Sequence, residues 1–387
     1  MAFVPLCPTP FCPRAPIRGW TNTKPSHLTR HSRTYQLGRR TLTATATEQG
    51  KGNSQYLQER SKSLRLQRYF ETFNWRGRKI NFREDGPHEN TLPVLIIHGF
   101  GASINHWRNN IPAIVDSGRF RVYTIDLLGF GGSDKTSPEE VEYGIPLWKE
   151  LVVDFINAQD HEDQWCLIGN SIGSLTALAA ASELGEERVR AVALMNCAGG
   201  LTSFRYSELN PLQAILLRVF NTLLFNRFTG PYLFDNFRKQ TNIAKVLEQV
   251  YIDKKAISED LLEILCEPSM DEGACDVFLA ILNAEPGPTP EELLAKMTWC
   301  PMLVLWGERD PWTPLRQGVH PGIRFPDYHP GIDLQVIPNA GHCIHDECPE
   351  AVNEILVPFL LEPKLKPAES NSSEGSPTSK DSAMQAS

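Results

Sequence analysis

Six short apolar runs, each bounded by turn residues, occupy much of this 387-residue chain. They lie at 93–99, 121–129, 165–169, 190–196, 301–307 and 333–339. The four middle runs are apolar nearly throughout, which is typical of strands that are buried on both faces of a sheet. Segments with a helical pattern, such as SLTALAAASEL, separate the runs. This alternation predicts an α/β fold in which helices flank a mostly parallel sheet.

The spacing of the runs predicts how the chain is organised. About 100 residues separate the fourth run from the fifth, which is too many for a simple crossover. Residues 200–286 have a mostly helical pattern, so we interpret them as a helical cap inserted over the carboxyl edge of the sheet. The strongly apolar stretch 211–228 is assigned to packing within this cap rather than to a membrane contact. The core is then formed by 48–199 and 287–362, and it begins with two strands that turn at Arg76–Gly77.

Residues 1–47 differ in composition from the rest of the chain. They contain seven Arg or Lys residues, eleven Ser or Thr residues and no Asp or Glu. They also lack the apolar block of a secretory signal. This composition is typical of an organelle transit peptide, and the abundance of Pro and Thr favours the chloroplast over the mitochondrion. A disordered basic tail is the alternative. Residues 363–387 are rich in Ser, Pro and Glu and are expected to be disordered.

The overall composition limits the classes of function. With 41% hydrophobic and 22% charged residues, the chain has the composition of a globular protein with a sizeable core. A net charge of −8 does not favour a nucleic-acid partner. No stretch approaches the roughly 18 apolar residues of a membrane-spanning helix. The nine cysteines are irregularly spaced, which argues against a disulfide framework and against a zinc site. We expect no metal and no cofactor.

A serine between two glycines follows the third apolar run. In Gly169-Asn170-Ser171-Ile172-Gly173 the serine ends a buried strand and opens an Ala- and Leu-rich helix. A nucleophile elbow has this context, because the serine sits on a sharp strand-to-helix turn where glycines relieve crowding. An ordinary turn between a strand and a helix would fit the five residues alone. We interpret Ser171 as a nucleophile because its partners follow in the chain.

An activated serine needs a base and an acid that orients the base, in the chain order Ser, Asp or Glu, His. Asp310 lies just past the fifth run and His342 just past the sixth, at the edge where parallel sheets gather their sites. Glu308 is an alternative acid, but Asp310 precedes a proline at the loop turn and is favoured. His345 is an alternative base, expected in the turn that follows His342.

The loop after the first run, HGFGAS at 98–103, is expected to help stabilise an oxyanion. The predicted donors are the backbone N–H groups of Phe100 and Ile172. The Gly-rich stretch DLLGFGGSD at 126–134 lacks the lysine of a phosphate-binding loop and is interpreted as structural. His98 and His106 are interpreted as loop-packing or pocket residues. Core packing is expected for the three tryptophans near the site: Trp107, Trp306 and Trp312.

With these motifs in place, residues 72–362 resemble the α/β-hydrolase family. Within it the chain is similar to plant and cyanobacterial plastid hydrolases of the chlorophyll dephytylase and pheophytinase type. The matching stretches are HGFGAS, DLLGFGGSDK, GNSIGSL, WGERDPW, GHCIHDECPE and, in the cap, EPSMDEGACDVFLAIL. One departure is Ser174, which follows Gly173 where relatives commonly have a second glycine. The match is weaker at 200–266.

The resemblance implies that the chain removes the phytyl chain from a chlorophyll-type pigment by ester hydrolysis. The expected partner is an apolar ester, chlorophyll or pheophytin, and any magnesium would belong to the substrate. The expected location is the chloroplast, in the stroma or peripheral on the thylakoid or envelope membrane. Hydrolysis of another plastid lipid or small ester is an alternative. A second alternative is a ligand-binding receptor on a hydrolase scaffold.

Overall fold

A computed structural model of the protein describes residues 67–159, 161, 163–200, 228–318 and 320–365. The predicted transit peptide at 1–47 lies outside the described residues. The same holds for the apolar stretch 211–228 except Phe228, and for the predicted disordered tail from residue 366 onward. These interpretations, and the boundaries of the core and the cap, stay predictions.

Eight strands form one mostly parallel sheet, as the sequence predicts. They are β1 (Glu71–Trp75), β2 (Arg78–Asp85), β3 (Leu92–Ile97), β4 (Phe120–Ile125), β5 (Trp165–Asn170), β6 (Val189–Met195), β7 (Met302–Gly307) and β8 (Ile332–Ile337). Their order in the sheet is β1-β2-β4-β3-β5-β6-β7-β8. The first two strands run antiparallel to their neighbours and the others pair in parallel. The predicted hairpin turn is present, since both Arg76 and Gly77 have a positive φ.

Eleven α-helices occur within the described ranges. They are α1 (Ile111–Val115), α2 (Ile145–Ala158), α3 (Ile172–Leu184), α4 (Thr229–Phe237), α5 (Gln240–Val250), α6 (Glu259–Cys266), α7 (Ala274–Leu282), α8 (Pro290–Leu294), α9 (Phe325–Tyr328), α10 (Ile344–Glu347) and α11 (Pro349–Leu361). Short 3-10 helices span Ile104–Trp107, Lys254–Ala256, Glu267–Met270 and Gly322–Arg324. Within this part of the chain, none of the helices has the length and apolarity needed to cross a bilayer.

The sheet lies between two layers of helices because alternate residues of each parallel strand point to opposite faces. In β3, Leu95 and Ile97 pack in one apolar cluster with side chains of α2 and α3. Val94 and Ile96 pack in a second cluster with side chains of α1, α10 and α11. All four side chains are fully buried. Burial on both faces explains why these strands read as continuous apolar runs.

Between β6 and β7 the described residues form α4 to α8, and the first four of these, α4 to α7, are called the cap helices here. Leu247 of α5 and Leu261 of α6 are buried with Tyr251 and with Cys343, a residue of the loop after β8. This contact places the cap helices against the carboxyl edge of the sheet. The predicted site residues belong to that edge.

Candidate active site

Ser171 lies on the turn that joins β5 to α3. Its φ of 56° and ψ of −122° fall in a region that L-residues rarely adopt, at a cost of about 1–3 kcal/mol. The N–H of Ser171 donates to the carbonyl of Met195 at 2.9 Å, and its own carbonyl accepts from Ser174 N–H at 3.0 Å. The surrounding backbone therefore holds the strained turn. The geometry is that of the predicted elbow.

The two glycines that flank Ser171 are needed because backbone approaches them closely. A Cβ on Gly169 would lie 2.3 Å from the carbonyl oxygen of Gly173, and one on Gly173 would lie 2.4 Å from that of His98. Contacts below 3 Å would force the backbone apart. The glycine pattern thus brings β5, α3 and the loop after β3 together. The departure at Ser174 is accommodated, because its hydroxyl donates to the carbonyl of Gly169 at 2.7 Å.

Asp310 and His342 come together from the ends of neighbouring strands. Asp310 follows β7, His342 follows β8, and His342 Nδ1–H donates to Asp310 Oδ2 at 2.8 Å. Burial acts to raise the pKa of Asp310, but the charge of His342 and hydrogen bonds from His342, Thr313 and Asn196 together hold that pKa below its ordinary value. The carboxyl group is therefore ionised and fixes the imidazole with its proton on Nδ1.

Two polar partners of Asp310 were missed by the sequence interpretation. Asn196 Nδ2 donates to Asp310 Oδ2 at 2.6 Å, and the Thr313 hydroxyl donates to the same oxygen. The second carboxyl oxygen accepts from the backbone N–H groups of Trp312 and Thr313 at 2.8 and 3.0 Å. Asn196 cannot act as the acid, and in the structure its amide donates to the predicted acid, Asp310. The signal in the sequence was its position at the end of the fourth apolar run.

Glu308 and His345, the alternatives to Asp310 and His342, make contacts away from Ser171. Glu308 accepts the backbone N–H of Asn339 at 3.0 Å and is exposed. His345 belongs to α10 rather than to a turn, and its ring stacks on Trp107 with a centroid distance of 4.1 Å. Ser171 and His342, by contrast, line the same cavity. The structure therefore brings Ser171, Asp310 and His342 to one edge of the sheet.

The loop after β3 is fixed by the ring of His98. Its Nε2 accepts the backbone N–H of Leu127 at 3.1 Å, so the proton resides on Nδ1, which donates to the carbonyl of Gly99 at 2.7 Å. Complete burial lowers the pKa of His98 and keeps the ring neutral. The N–H of Ile172, at the first turn of α3, has no intrahelical partner. Within the described part of the chain, neither that N–H nor that of Phe100 donates to another protein group.

The cavity that contains Ser171 and His342 is lined mainly by apolar side chains from the core and the cap helices. Five phenylalanines contribute to it: Phe100, Phe130, Phe234, Phe237 and Phe278. Its polar lining side chains are His106, Asn170, Ser171, Ser269, His342 and Cys343. Among the described lining residues there is no Lys, Arg, Asp or Glu. The cavity suits an uncharged, apolar ligand.

The tryptophans near the site differ in their environments. Trp107 and Trp306 are fully buried, as core packing requires. Trp312 corrects the expectation of core packing, because it is 44% exposed, lines the cavity and has its ring centroid 5.3 Å from that of His342. Its backbone position after Asp310 explains the difference, since Trp312 N–H is held by the Asp310 carboxylate and the ring is left at the surface.

The chain is similar in sequence to known proteins. The chain is 33% identical over 162 residues to 2-hydroxy-6-oxo-6-(2'-aminophenyl)hexa-2,4-dienoic acid hydrolase of Metapseudomonas resinovorans, with 41% of the chain and 51% of that protein covered. It is 25% identical to the chloroplastic pheophytinase of Arabidopsis thaliana, over 74% of the chain and 64% of that protein. The chain thus spans about half the length of the first relative and under two thirds of the second.

A solved structure shares the fold. The serine hydrolase CarC, involved in carbazole degradation, matches with a TM-score of 0.59 and 23% sequence identity, over 75% of this chain and 98% of that one. Residues 94–355 match the model of the alpha/beta hydrolase family, and they include most of β3 and all of β4 to β8, together with Ser171, Asp310 and His342. The chain therefore belongs to the alpha/beta hydrolase family.

Proposed function

We propose that the chain is a serine hydrolase that cleaves an apolar carboxylic ester through an acyl-enzyme on Ser171. The observation that carries the proposal is the cavity, in which apolar side chains converge on Ser171 and on a histidine that is bonded to a buried carboxylate. Membership of the hydrolase family and the named hydrolases among the relatives support the reaction class.

In the proposed mechanism, His342 acts through Nε2 because Nδ1–H is bonded to Asp310. The imidazole takes the proton of the Ser171 hydroxyl as the oxygen attacks the ester carbonyl carbon. Asp310 fixes the tautomer and stabilises the imidazolium that forms. The backbone N–H groups of Phe100 and Ile172 stabilise the oxyanion. The alcohol leaves with the proton from His342, and water then hydrolyses the acyl-enzyme.

The proposed substrate is the phytyl ester of a chlorophyll-type pigment, either chlorophyll or pheophytin. The apolar, phenylalanine-rich lining suits an isoprenoid chain, and a pheophytinase is among the relatives. The proposed location is the chloroplast, in the stroma or in peripheral association with the thylakoid or envelope membrane. The composition of residues 1–47 and the chloroplastic location of the pheophytinase relative support it.

Hydrolysis of a dienoic acid, the substrate in the name of the Metapseudomonas relative, is disfavoured. Such a substrate carries a carboxylate, which needs a cationic or strongly donating partner when it is buried. The described lining residues include no Lys or Arg. Burial also lowers the pKa of His106 to about 4, so this polar residue of the lining is uncharged at neutral pH.

The test compares the full chain with its Ser171→Ala variant on chlorophyll, pheophytin, a galactolipid and p-nitrophenyl esters, with products separated by chromatography. We expect release of phytol by the wild type and a loss of at least about 1,000-fold in the variant. A fluorophosphonate should label the wild type only. If only the galactolipid is hydrolysed, the proposed mechanism is supported but the proposed pigment substrate is wrong. A single turnover accompanied by ligand-dependent binding of a partner would favour the receptor alternative. Equal fluorophosphonate labelling of the wild type and of Ser171→Ala would show that Ser171 is not the nucleophile.

A further inference from the structure

The loop that carries His342 is bonded to the end of a cap helix. Val250 is the last residue of α5, so its carbonyl has no partner in its own helix. That carbonyl accepts the backbone N–H of His342 at 2.8 Å. Gly341, the residue before His342, also lies against this carbonyl, because a Cβ on Gly341 would be only 1.9 Å from the Val250 oxygen. The cap and the catalytic histidine therefore meet backbone to backbone.

The Glu347 carboxylate accepts hydrogen bonds from both of these backbone segments. Its Oε2 accepts the N–H of Gly341 at 2.7 Å, directly before His342. Its Oε1 accepts the N–H groups of Ile252 and Asp253 at 2.6 and 2.7 Å, directly after α5. One buried carboxylate thus joins the backbone of the histidine loop to the backbone of the cap. Such charge-assisted bonds are short and orient both segments.

A neighbouring network extends the connection to the core. Tyr251 donates its hydroxyl proton to Asp346 Oδ2 at 2.8 Å, and Arg108 pairs with the other oxygen of Asp346 at 2.7 Å. The Tyr251 oxygen in turn lies 2.9 Å from Nε2 of His106, which follows the predicted oxyanion loop. Val250, Tyr251, Ile252 and Asp253 are consecutive. The loop of His342 and the segment that follows the predicted oxyanion loop therefore both contact one stretch of the cap.

We propose that Glu347 is a positioning residue that clasps the cap segment 250–253 to the loop of His342 and so sets the place of the catalytic imidazole. The proposal rests on the proposed function, in which His342 is the base. Glu347 does not touch the substrate, since its oxygens are taken by three backbone N–H groups. It acts through Gly341 and His342. Docking of the cap and activation of Ser171 are coupled through this carboxylate.

The test replaces Glu347 with Gln in the full chain. The amide keeps the shape but presents an NH₂ group to one set of backbone N–H donors, so one side of the clasp opens. We expect kcat for a p-nitrophenyl ester to fall about 10- to 100-fold, the loss that a displacement of about 1 Å in a reacting group causes, with KM little changed. Fluorophosphonate labelling should slow in the same proportion. Hydrogen exchange should quicken in peptides that contain Gly341 and Ile252.

Glu350→Gln is the matched control, because Glu350 is exposed, lies three residues away and undergoes the same chemical change. A second pair leaves Glu347 intact. Asp253 has a φ of −81°, which proline can adopt, so Asp253→Pro removes one N–H of the clasp. Asp253→Ala removes only the side chain, which caps Lys255 N–H. The Pro variant should show a several-fold lower kcat than the Ala variant, which isolates the N–H.

The outcomes separate this proposal from the proposed function. If the fluorophosphonate labels the wild type, and Glu347→Gln has the same labelling rate and the same hydrogen exchange as the wild type, the role of Glu347 is overturned and the proposed function is not. A wild type that neither hydrolyses esters nor reacts with the fluorophosphonate would overturn both. If Glu347→Gln does not fold, the Asp253 pair decides, and equal kcat values in its two members would overturn the clasp.

Discussion

Asp310 shows how one buried carboxylate is kept ionised. It is 5% exposed, and burial alone would favour the neutral acid. Its two oxygens accept bonds from His342, Asn196, Thr313 and two backbone N–H groups. The charge of His342 and the donated bonds outweigh the burial, so the pKa is held below its ordinary value. The ionised state that favours the imidazolium also contributes to the stability of the fold.

That lowered pKa predicts a pH dependence of stability. A carboxyl group whose pKa is lower in the folded state stabilises the fold above its unfolded pKa, and this contribution is lost as the pH falls through the folded value. The Asp310→Asn variant lacks the contribution. We expect the wild type to be more stable at pH 6, with the difference shrinking below about pH 4. Urea unfolding at several pH values measures it, and a difference that stays constant would contradict the assignment.

At this scale the sequence predicted that Ser171, Asp310 and His342 lie at one edge of the sheet, but it did not predict the hydrogen bonds that hold Asp310. Asp310 and His342 could be placed because each follows a strand, and parallel strands end at one edge. Asn196 ends a strand too, but an amide cannot serve as the acid, so the residue type alone does not predict a role in the site. Its role as a donor to Asp310 needs the adjacency of β6 and β7, which a single sequence does not state. The role of Glu347 leaves no pattern in the sequence, because its partners are backbone groups.

At the scale of elements, the strand–turn–helix at β5 and α3 depends on backbone contact. Gly169 faces the carbonyl of Gly173, and Gly173 faces the carbonyls of Ile97 and His98. The elbow can bring Ser171 to the cavity only because no side chain intervenes. Both glycines therefore have a steric role distinct from conformational freedom.

The steric role predicts the effect of Gly169→Ala. The added methyl would lie 2.3 Å from a carbonyl oxygen, so strand and helix must separate and we expect a loss of about 3 kcal/mol or more. Gly118→Ala is the control, because Gly118 has a φ of +67° but open space around its Cβ position. It should cost about 1 kcal/mol. Urea midpoints compare the two variants, and equal losses would show that packing at Gly169 is not the cause.

The elements were predicted well where burial is complete and less well where turns begin. The strand predicted at 121–129 is β4, which ends at Ile125. The next residue, Asp126, accepts the N–H groups of Ile104 and Gly132 at 2.8 and 2.7 Å. These bonds turn the chain away from the sheet, while Leu127 and Leu128 stay buried and mimic a longer strand. The bonds of Asp126 also support a structural role for the Gly-rich stretch 126–134.

At the scale of the whole molecule, Phe278 connects the cap helices with the core. Its ring centroid lies 5.2 Å from that of Phe234 and 5.1 Å from that of Phe237, both on α4. It also lies 5.8 Å from the ring of Phe100, in the loop after β3. One side chain thus forms part of the cavity wall where the cap faces the predicted oxyanion loop. Selectivity for the length of an apolar chain should depend on such contacts.

Phe278→Ala should therefore reduce activity on long-chain esters more than on short ones. Each buried methylene of a substrate contributes about 0.8 kcal/mol, so losing contact with two or three of them lowers kcat/KM about 10- to 50-fold for a long-chain p-nitrophenyl ester. The acetate ester should change little, because the bonds around Asp310 and His342 do not involve Phe278. Phe359→Ala is the control, since Phe359 is also half-buried but packs in the apolar cluster of α1, α10 and α11 and does not line the cavity. A uniform loss across chain lengths in Phe278→Ala would mean that the ring supports the fold and not the selectivity of the cavity.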